Sequence, residues 1–439
     1  MNFRLISLLL TLILVFSLFG CNFAKESGGA SSSSSASQTE SEEEKIDLSK
    51  FDAVDRSVVD FRTSLYSAVE LTKGFEALKT EDQRTCYKSI EKNISYISKA
   101  KTENYYSIAP VTLKDTELSE AELHLVISAF TMDNPEVFWI HSNFSYEVSE
   151  GNITLHLTSA FSASEIKENA RLMGSSIEDI FDNVSGGLSA YERELAIHDA
   201  FASVCKYADD TENMRVYTSM GALVDNYAVC EGYSRAMQIL LSMAGIETYY
   251  VFGTGSEELH MWNVVNIDGE WYHLDATWND QDYGIIYDYF NLTEEEITES
   301  HTLSPFYWEL TEDEVSGGDT GVAVSFNIFV PESNGEGVSY YEKNAVTVTG
   351  FDEENLENIA QAFISALDRG EELIYLYIDP DHLVYASAVE NLFSSGDYAI
   401  FESIEIANSQ IYYTQIYDKS VEIDEIPEEN IVAVYFEQE

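Results

Sequence analysis

The chain has 439 residues and an acidic composition, with 78 Asp and Glu residues against 23 Lys and Arg residues and a formal net charge of −55. A surface of that charge repels polyanions, so nucleic acids and anionic lipid surfaces are excluded as direct partners. Hydrophobic residues make up 45% of the chain, which is enough to form the cores of two or three domains.

The amino terminus has the pattern of a secretion signal. Residues 1–20 contain one charged side chain, Arg4, which is followed by an apolar run over 5–19. The stretch LFGC at 18–21 resembles the bacterial lipobox, which implies cleavage before Cys21 and attachment of lipid to its thiol. We therefore expect an extracytoplasmic lipoprotein whose acyl chains anchor it to the cell membrane. A plain signal peptide is the alternative.

Residues 21–50 are predicted to form a lipid-anchored flexible linker, because the run SSSSSAS and its neighbours offer few apolar side chains to pack. Residues 51–187 predict an N-terminal α/β extension. Its apolar spacing over 61–69 predicts a helix, and Ser119 with Glu122 three residues later has the pattern of a capping box. Two apolar runs on either side of Ser149-Glu150-Gly151 predict a strand pair.

The segment that follows Cys230 predicts a helix whose first turn contains the cysteine. Tyr233, Met237 and Leu240 fall at helical spacing, and Gly245 has the position of a C′ residue. The free N–H groups and the positive dipole end of a helix stabilise a thiolate, and the same amides could hold a developing oxyanion. The alternative is a small cysteine buried in the core.

Two strands are predicted downstream, at His260–Ile267 and Glu270–Thr277, with Asp268-Gly269 between them as a hairpin turn. With a two-residue turn, Ile267 lies opposite Glu270, and the numbers of any two residues that lie opposite each other in the hairpin sum to 537. His260 and Asp275 then project from the same face as diagonal neighbours. A three-residue loop would shift the pairing by one residue, and His260 and Asp275 would then project from opposite faces.

Three aromatic residues are candidates for the wall of a substrate groove: Trp262, Trp278 and Tyr233. The alternative for these side chains is the hydrophobic core. The Gly-rich stretch over 253–258, directly before His260, is predicted to be a mobile loop at the rim of the groove.

The motifs AVCEGYSRA, HMWNVV and WYHLDATW occur in this order and resemble the core of the transglutaminase-like superfamily. The resemblance implies an α+β fold of the papain type, with a central helix packed on an antiparallel sheet over 188–308. It also implies Cys230 as the nucleophile, His260 as the base and Asp275 as the residue that orients the histidine. Such a catalytic triad forms a thioester, which water hydrolyses or an amine attacks.

The remaining sequence predicts a linker at 309–321 and a C-terminal α+β accessory domain at 322–439. Its predicted strands include Leu373–Ile378 and Ile404–Tyr412, and its predicted helices include Glu354–Leu367. We find no nucleophile and no set of metal ligands in this domain.

No cofactor or metal is expected. Calcium at Asp209-Asp210 or Asp280-Gln281-Asp282 is an alternative to a solvated acidic loop. If Cys21 carries lipid, the three remaining cysteines are Cys86, Cys205 and Cys230, so at least one is free or pairs between chains.

The leading hypothesis is a cysteine-dependent acyl-transfer enzyme that hydrolyses peptide or amide bonds at the cell surface. Its partner would be a protein or peptide substrate, and cell-wall peptide follows from the expected location. The first alternative is a protein-glutamine transamidase. The second, from another class, is a non-catalytic binding or scaffold module of the cell envelope.

Overall fold

The computed structural model describes residues 46–438 except for short stretches at 103–104, 183, 212, 257, 282–283, 304–307, 310–322, 325–326, 336–337, 370–371, 395–397, 418–420 and 428–429. The predicted signal peptide, Cys21 and nearly all of both predicted linkers lie outside the described residues. The chain forms two compact units. The first comprises the described residues up to Asp268 together with Thr298–Pro331, and the second comprises Gly269–Ile297 and the residues from Glu332 onward.

The described residues of the first unit form six α-helices: α1 Lys73–Ala77, α2 Glu81–Asn93, α3 Glu120–Asp133, α4 Ala163–Phe181, α5 Ala190–Ala202 and α6 Cys230–Met243. The strands of the first unit before the domain boundary are β1 Phe51–Ala53, β2 Tyr96–Thr102, β3 Tyr105–Ile108, β4 Val111–Leu113, β5 Ile140–Ser149, β6 Asn152–Ser159, β7 Lys206–Tyr207, β8 Tyr227–Ala228, β9 Thr248–Gly255 and β10 Glu258–Ile267. The second unit contributes β11 Glu270–Leu274, β12 Asp280–Gln281, β13 Gly284–Ile285 and β14 Phe290–Leu292, after which the chain returns to the first unit with β15 His301–Leu303, β16 Trp308–Glu309 and β17 Ala323–Val324.

The amino-terminal part of the first unit is built on a six-stranded sheet in the order β1-β2-β3-β6-β4, with β5 paired to β6. β5 and β6 form the predicted hairpin, and its two turn residues, Glu150 and Gly151, have left-handed φ values of 52° and 79°. Helices α2 and α3 pack on each other beside this sheet. Ser119 caps α3 in a complete capping box with Glu122, as predicted.

The second sheet of the first unit places β9 between β10 and β15, with both neighbours antiparallel to it. Helix α6 packs against β9 and β10. Its apolar face, which includes Leu240 and Leu241, and the strand residues Val264 and Val265 are fully buried. This arrangement confirms the prediction of a central helix on an antiparallel sheet within an α+β fold.

The second unit begins with β11, which pairs antiparallel with β14. Its larger sheet has the order β18-β19-β21-β20, made of β18 Val346–Val348, β19 Leu373–Ile378, β20 Glu422–Ile426 and β21 Ile431–Tyr435. Its helices are α7 Ala276–Asn279, α8 Glu294–Ile297, α9 Tyr340–Asn344, α10 Glu353–Arg369, α11 Tyr385–Phe393 and α12 Ala399–Gln410. One hydrophobic core joins the sheet to α10, α11 and α12.

Three predicted helices or strands were wrong in whole or in part. The predicted strand Glu270–Thr277 ends at Leu274, because the side chain of Asp275 caps the backbone that begins helix α7. Residues 61–69 form no helix. Residues 404–410 lie in α12 instead of a strand, because Ile400, Ile404, Ala407 and Ile411 recur at helical spacing and face the core. None of the described helices combines the length and apolar character that a membrane span requires.

Candidate active site

Cys230 is the first residue of α6, as the sequence predicted. The preceding residue, Val229, is the N-cap in extended conformation, and its side chain makes no capping hydrogen bond. The first N–H groups of a helix have no partner within the helix, so the thiol lies beside backbone donors at the positive end of the dipole. The Cys230 side chain is partly exposed, whereas Cys86 and Cys205 are buried. Among the described cysteines, Cys230 is therefore the one that a solute can reach.

The first turn of α6 is held in place by the segment that leads into it. The backbone N–H of Val229 donates to the carbonyl oxygen of Val216 over 3.0 Å. Gly232 brings that segment close, because a Cβ atom there would lie 2.6 Å from the same oxygen. Arg215 donates two hydrogen bonds, of 2.6 and 2.7 Å, to the carboxylate of Asp225 and closes the segment on itself. These contacts fix the position of Cys230.

Tyr217 ends the short 3₁₀ helix Met214–Tyr217, which packs against α6. Burial raises the pKa of Tyr217, and the negative charges of Glu231 and a Cys230 thiolate raise it further, while a hydrogen bond to Thr211 lowers it. The phenol therefore stays neutral at ordinary pH and lies near the thiol. The sequence had given no indication of this neighbour.

His260 lies on β10, opposite Gly253 of β9. The strand is joined to α6 next to the histidine. Ser234 of α6 donates through its hydroxyl to the carbonyl oxygen of Met261 over 3.0 Å, and Asn263 donates through its side chain to the carbonyl oxygen of Ser234 over 3.0 Å. Ser234 follows Cys230 by one helical turn. Within the first unit, the structure thus joins the beginning of α6 to the strand that carries the predicted base.

Asp275 belongs to the second unit and is fully buried. It is the N-cap of α7, where its Oδ1 accepts hydrogen bonds from the backbone N–H groups of Thr277 (2.9 Å) and Trp278 (3.2 Å). Its own N–H donates to the carbonyl oxygen of Tyr289 over 2.9 Å. The carboxylate is therefore held in one orientation by local backbone groups.

The connection between β10 and β11 consists of two residues, Asp268 and Gly269, with φ values of 54° and 101°. Both angles fall in the left-handed region that a type I′ hairpin turn requires. The predicted two-residue turn is confirmed. Strand β11 ends at Leu274, however, so the alternation of strand side chains does not extend to Asp275, and the predicted shared face of His260 and Asp275 does not follow from it.

The three predicted groove residues have different environments. Tyr233 and Trp262 are at most 1% exposed, which favours the core alternative for both rings. Trp278 is half-buried and makes an edge contact with Tyr289, at 5.0 Å between ring centroids. The groove role of Trp278 stays a prediction.

Two features near His260 were missed. Residues 253–255 belong to strand β9 and not to a mobile loop, because β15 pairs with them. That pairing also places His301, which is 1% exposed, with its ring centroid 5.3 Å from that of His260. The signal in the sequence was the alternation Gly-Thr-Gly, which leaves one face of a strand without side chains.

The two candidate calcium positions receive no support from the described part of the chain. Neither Asp209-Asp210 nor Asp280 belongs to a cluster of three or more ligating side chains there. Asp282 lies outside the described residues. In the first unit, ring nitrogens of His260 and His301 lie within 4.8 Å of each other.

Residues 178–276 match the family model of the Transglutaminase-like superfamily, and this range includes Cys230, His260 and Asp275. A solved TGase structure is 16% identical, with 48% of this chain and 56% of that chain covered and a TM-score of 0.25. A candidate cysteine protease from Cytophaga hutchinsonii is 11% identical, with 42% of this chain and 71% of that chain covered and a TM-score of 0.22. No curated protein matches the chain. Residues 178–276 are thus a transglutaminase-like domain, as the three motifs predicted.

Proposed function

We propose that this protein, which carries a transglutaminase-like domain at 178–276, is a cysteine-dependent acyl-transfer enzyme that hydrolyses peptide or amide bonds. One observation carries the proposal. The partly exposed thiol of Cys230 begins a helix whose N-cap provides no side-chain acceptor, and that helix is hydrogen-bonded to the strand of His260.

The proposed reaction begins when His260 accepts the thiol proton of Cys230. The thiolate attacks the substrate carbonyl carbon, and the carbonyl π electrons move to the oxygen. Backbone N–H groups in the first turn of α6 hold this oxyanion. The C=O bond then re-forms, the C–N bond breaks, and the leaving amine takes the proton from the imidazolium. The product is a thioester on Cys230.

The second half of the reaction consumes the thioester. His260 accepts a proton from water as the oxygen attacks the thioester carbonyl. The C–S bond breaks, and the sulfur recovers its proton, so that a carboxylic acid and the free enzyme result. An amine in place of water would give transamidation, which is the second candidate because the matching family is named for that reaction.

Asp275 is proposed to orient the imidazole of His260. The motifs HMWNVV and WYHLDATW support this role, because their resemblance to the transglutaminase-like core implies His260 as the base and Asp275 as the residue that orients it. The backbone donors that hold Oδ1 of Asp275 support it as well, because a carboxylate fixed by its own helix can align a partner.

The proposed place of action is the outer face of the cell membrane, with lipid on Cys21 as the anchor and the residues up to 50 as a flexible linker. The apolar run over 5–19 and the LFGC stretch support this proposal. A protein or peptide substrate outside the membrane, such as cell-wall peptide, follows from that location.

Alkylation of Cys230 by iodoacetamide tests the proposal without a known substrate. The rates at pH 6 and pH 9 are compared on the full-length protein, with peptides resolved by mass spectrometry. For an ordinary thiol with a pKa of about 8.5 the pH 6 rate is roughly 200-fold lower than the pH 9 rate. We expect the two rates at Cys230 to agree within about tenfold in the wild type, and the large difference to return in His260→Ala.

Peptide substrates and hydroxylamine then separate the reaction types. Formation of a peptide hydroxamate that requires Cys230 shows acyl transfer, and release of free acid or incorporation of an added amine distinguishes hydrolysis from transamidation. A Cys230 that reacts like an ordinary thiol, with no hydroxamate formed, would leave the binding or scaffold module as the better description.

A further inference from the structure

Strand β9 has two glycines on one face, Gly253 and Gly255, directly between two histidines. In the register of the sheet, His260 of β10 lies opposite Gly253, and His301 of β15 lies opposite Gly255. Residues two apart on a strand share a face, so β9 presents no side chain between the two imidazoles. The two imidazoles therefore approach each other over the side-chain-free face of β9 at Gly253 and Gly255, which we call the glycine gap.

The rings around the gap contact one another closely. The ring centroid of His301 is 5.3 Å from that of His260 and 4.9 Å from that of Trp262, and the rings of His260 and Trp262 are stacked at 6.0 Å. A Cβ atom at position 253 would lie 2.7 Å from Cη2 of Trp262 and would collide with the backbone of Thr302. The glycine is therefore needed for the ring cluster.

The ring of His301 is itself fixed. Its Nδ1 is 2.8 Å from the hydroxyl oxygen of Ser300, and the residue is 1% exposed. A buried ring with a hydrogen bond on one nitrogen has a defined plane and a defined position. It can therefore act as a rigid surface against which the neighbouring imidazole rests.

We infer that His301 is a positioning residue for His260, which it holds through ring contact across the glycine gap of β9. The inference rests on the proposed function, in which the imidazole of His260 must stay aligned with the thiol of Cys230. A small misalignment of a catalytic base lowers its effect strongly, and loss of an outer supporting residue typically costs 10–100-fold. His301 touches no substrate in this scheme and acts through His260.

The test is the ratio of the iodoacetamide rates of Cys230 at pH 6 and pH 9 in the full-length protein. This ratio reports activation of the thiol, since improved access to a loosened site would raise both rates. His301→Ala should lower the ratio about tenfold. His301→Phe retains a ring in the same place and should restore the ratio to within about threefold of wild type.

His124→Ala provides a matched control. His124 is also buried in the first unit, but its aromatic neighbour is Phe144 of β5, at 4.6 Å between ring centroids. Its replacement should lower the unfolding midpoint and leave the ratio unchanged. If His301→Ala does not fold, His301→Gln takes its place in the comparison with His301→Phe.

The result for His260→Ala separates the two possible failures. If this variant keeps the wild-type ratio, the proposed function itself is wrong. If His260→Ala lowers the ratio while His301→Ala, or His301→Gln in its place, retains the wild-type ratio, His301 is only a packing residue and the inference is overturned. A ratio that falls equally in the alanine and phenylalanine variants would contradict positioning by ring contact.

Discussion

Helices α2 to α5 and helix α6 begin in opposite ways. The first four each have a Ser or Thr N-cap and a complete capping box, with caps at Thr80, Ser119, Ser162 and Ser189. Helix α6 has Val229 in that position, and no side chain caps it. The capped helices use their free N–H groups for stability. The first N–H groups of the Cys230 helix receive no hydrogen bond from a capping side chain.

Helix α1 shows a third arrangement, in which an anion from another helix takes the place of the cap. The carboxylate of Asp133, at the end of α3, accepts hydrogen bonds from the backbone N–H groups of Gly74 and Phe75, each 2.7 Å long. Thr72, the N-cap residue of α1, makes no side-chain cap. At α1, a helix N-terminus without a side-chain cap of its own thus donates its N–H groups to a carboxylate, and the thiolate and oxyanion proposed at α6 would need such donors.

The largest expected effect is on turnover, and it distinguishes a substitution at Cys230 from one at a buried cysteine. Cys230→Ala should lower acyl transfer by more than about a thousandfold and change the free energy of unfolding by less than about 1 kcal/mol. Cys205→Ala, at a fully buried position, should do the reverse: it should cost about 1–2 kcal/mol and leave turnover in place. Hydroxamate formation and urea unfolding of both variants measure this contrast. Equal effects of the two variants on turnover would contradict it.

The second prediction concerns the anion at α1. Burial raises the pKa of Asp133 to about 6, against the lowering effect of its hydrogen bonds from Gly74, Phe75 and Tyr87. Since the folded pKa lies above the unfolded value, this carboxyl contributes stability below about pH 4 that is lost as the pH rises through 6.

Relative to Asp133→Asn, the wild type should therefore lose roughly 2–3 kcal/mol of stability between pH 4 and pH 7. Urea unfolding of both proteins across this range measures the difference. The variant keeps every other titrating group, including His124, whose pKa burial lowers to about 4. A difference that stays constant with pH would show that Asp133 does not titrate in this window.

A third prediction adds a side-chain cap to α6. Val229→Thr keeps the shape of the side chain and adds a hydroxyl that can accept from the free N–H groups of the first turn. We expect the alkylation rate of Cys230 at pH 6 to fall about three- to tenfold, because a cap of this kind is worth about 1 kcal/mol and competes with the thiolate. Val229→Ala, which loses packing without adding an acceptor, should leave that rate near wild type. Mass spectrometry of the labelled peptide distinguishes the two.

The smallest effect is expected when a structural cap is removed. Ser162→Ala takes the cap from α4 and should lower the free energy of unfolding by about 1 kcal/mol. The alkylation ratio of Cys230 should stay unchanged, because α4 contributes no residue to the proposed site. A changed ratio would mean that stability of the scaffold, and not the free N-terminus of α6, determines thiol reactivity.

Local signals in the sequence predicted the parts of the site that local interactions form. The helix after Cys230, the two-residue turn at Asp268-Gly269 and the capping box at Ser119 depend on residues within a few positions of each other. The prediction for Leu373–Ile378 was confirmed for the same reason, since a short apolar run is a direct strand signal.

The missed parts depend on contacts between distant segments. His301 reaches His260 only because β15 returns to pair with β9, and that register cannot be derived from the composition of either strand. The same pairing turns the glycine-rich stretch at 253–255 into a strand, although glycine alone indicates a loop. The error at 404–410 arose because two isoleucines two residues apart fit a strand as well as a helix face.

The burial of the other cysteines gives this chain a practical property. Cys86 is fully buried, and burial raises the pKa of its thiol to about 12, while Cys205 is fully buried too. Within the described part of the chain, a fluorophore or spin label supplied as a thiol reagent would thus attach at one position without any cysteine being engineered away. The label would report, as substrates arrive, on the local environment of the residue that is proposed to react with them.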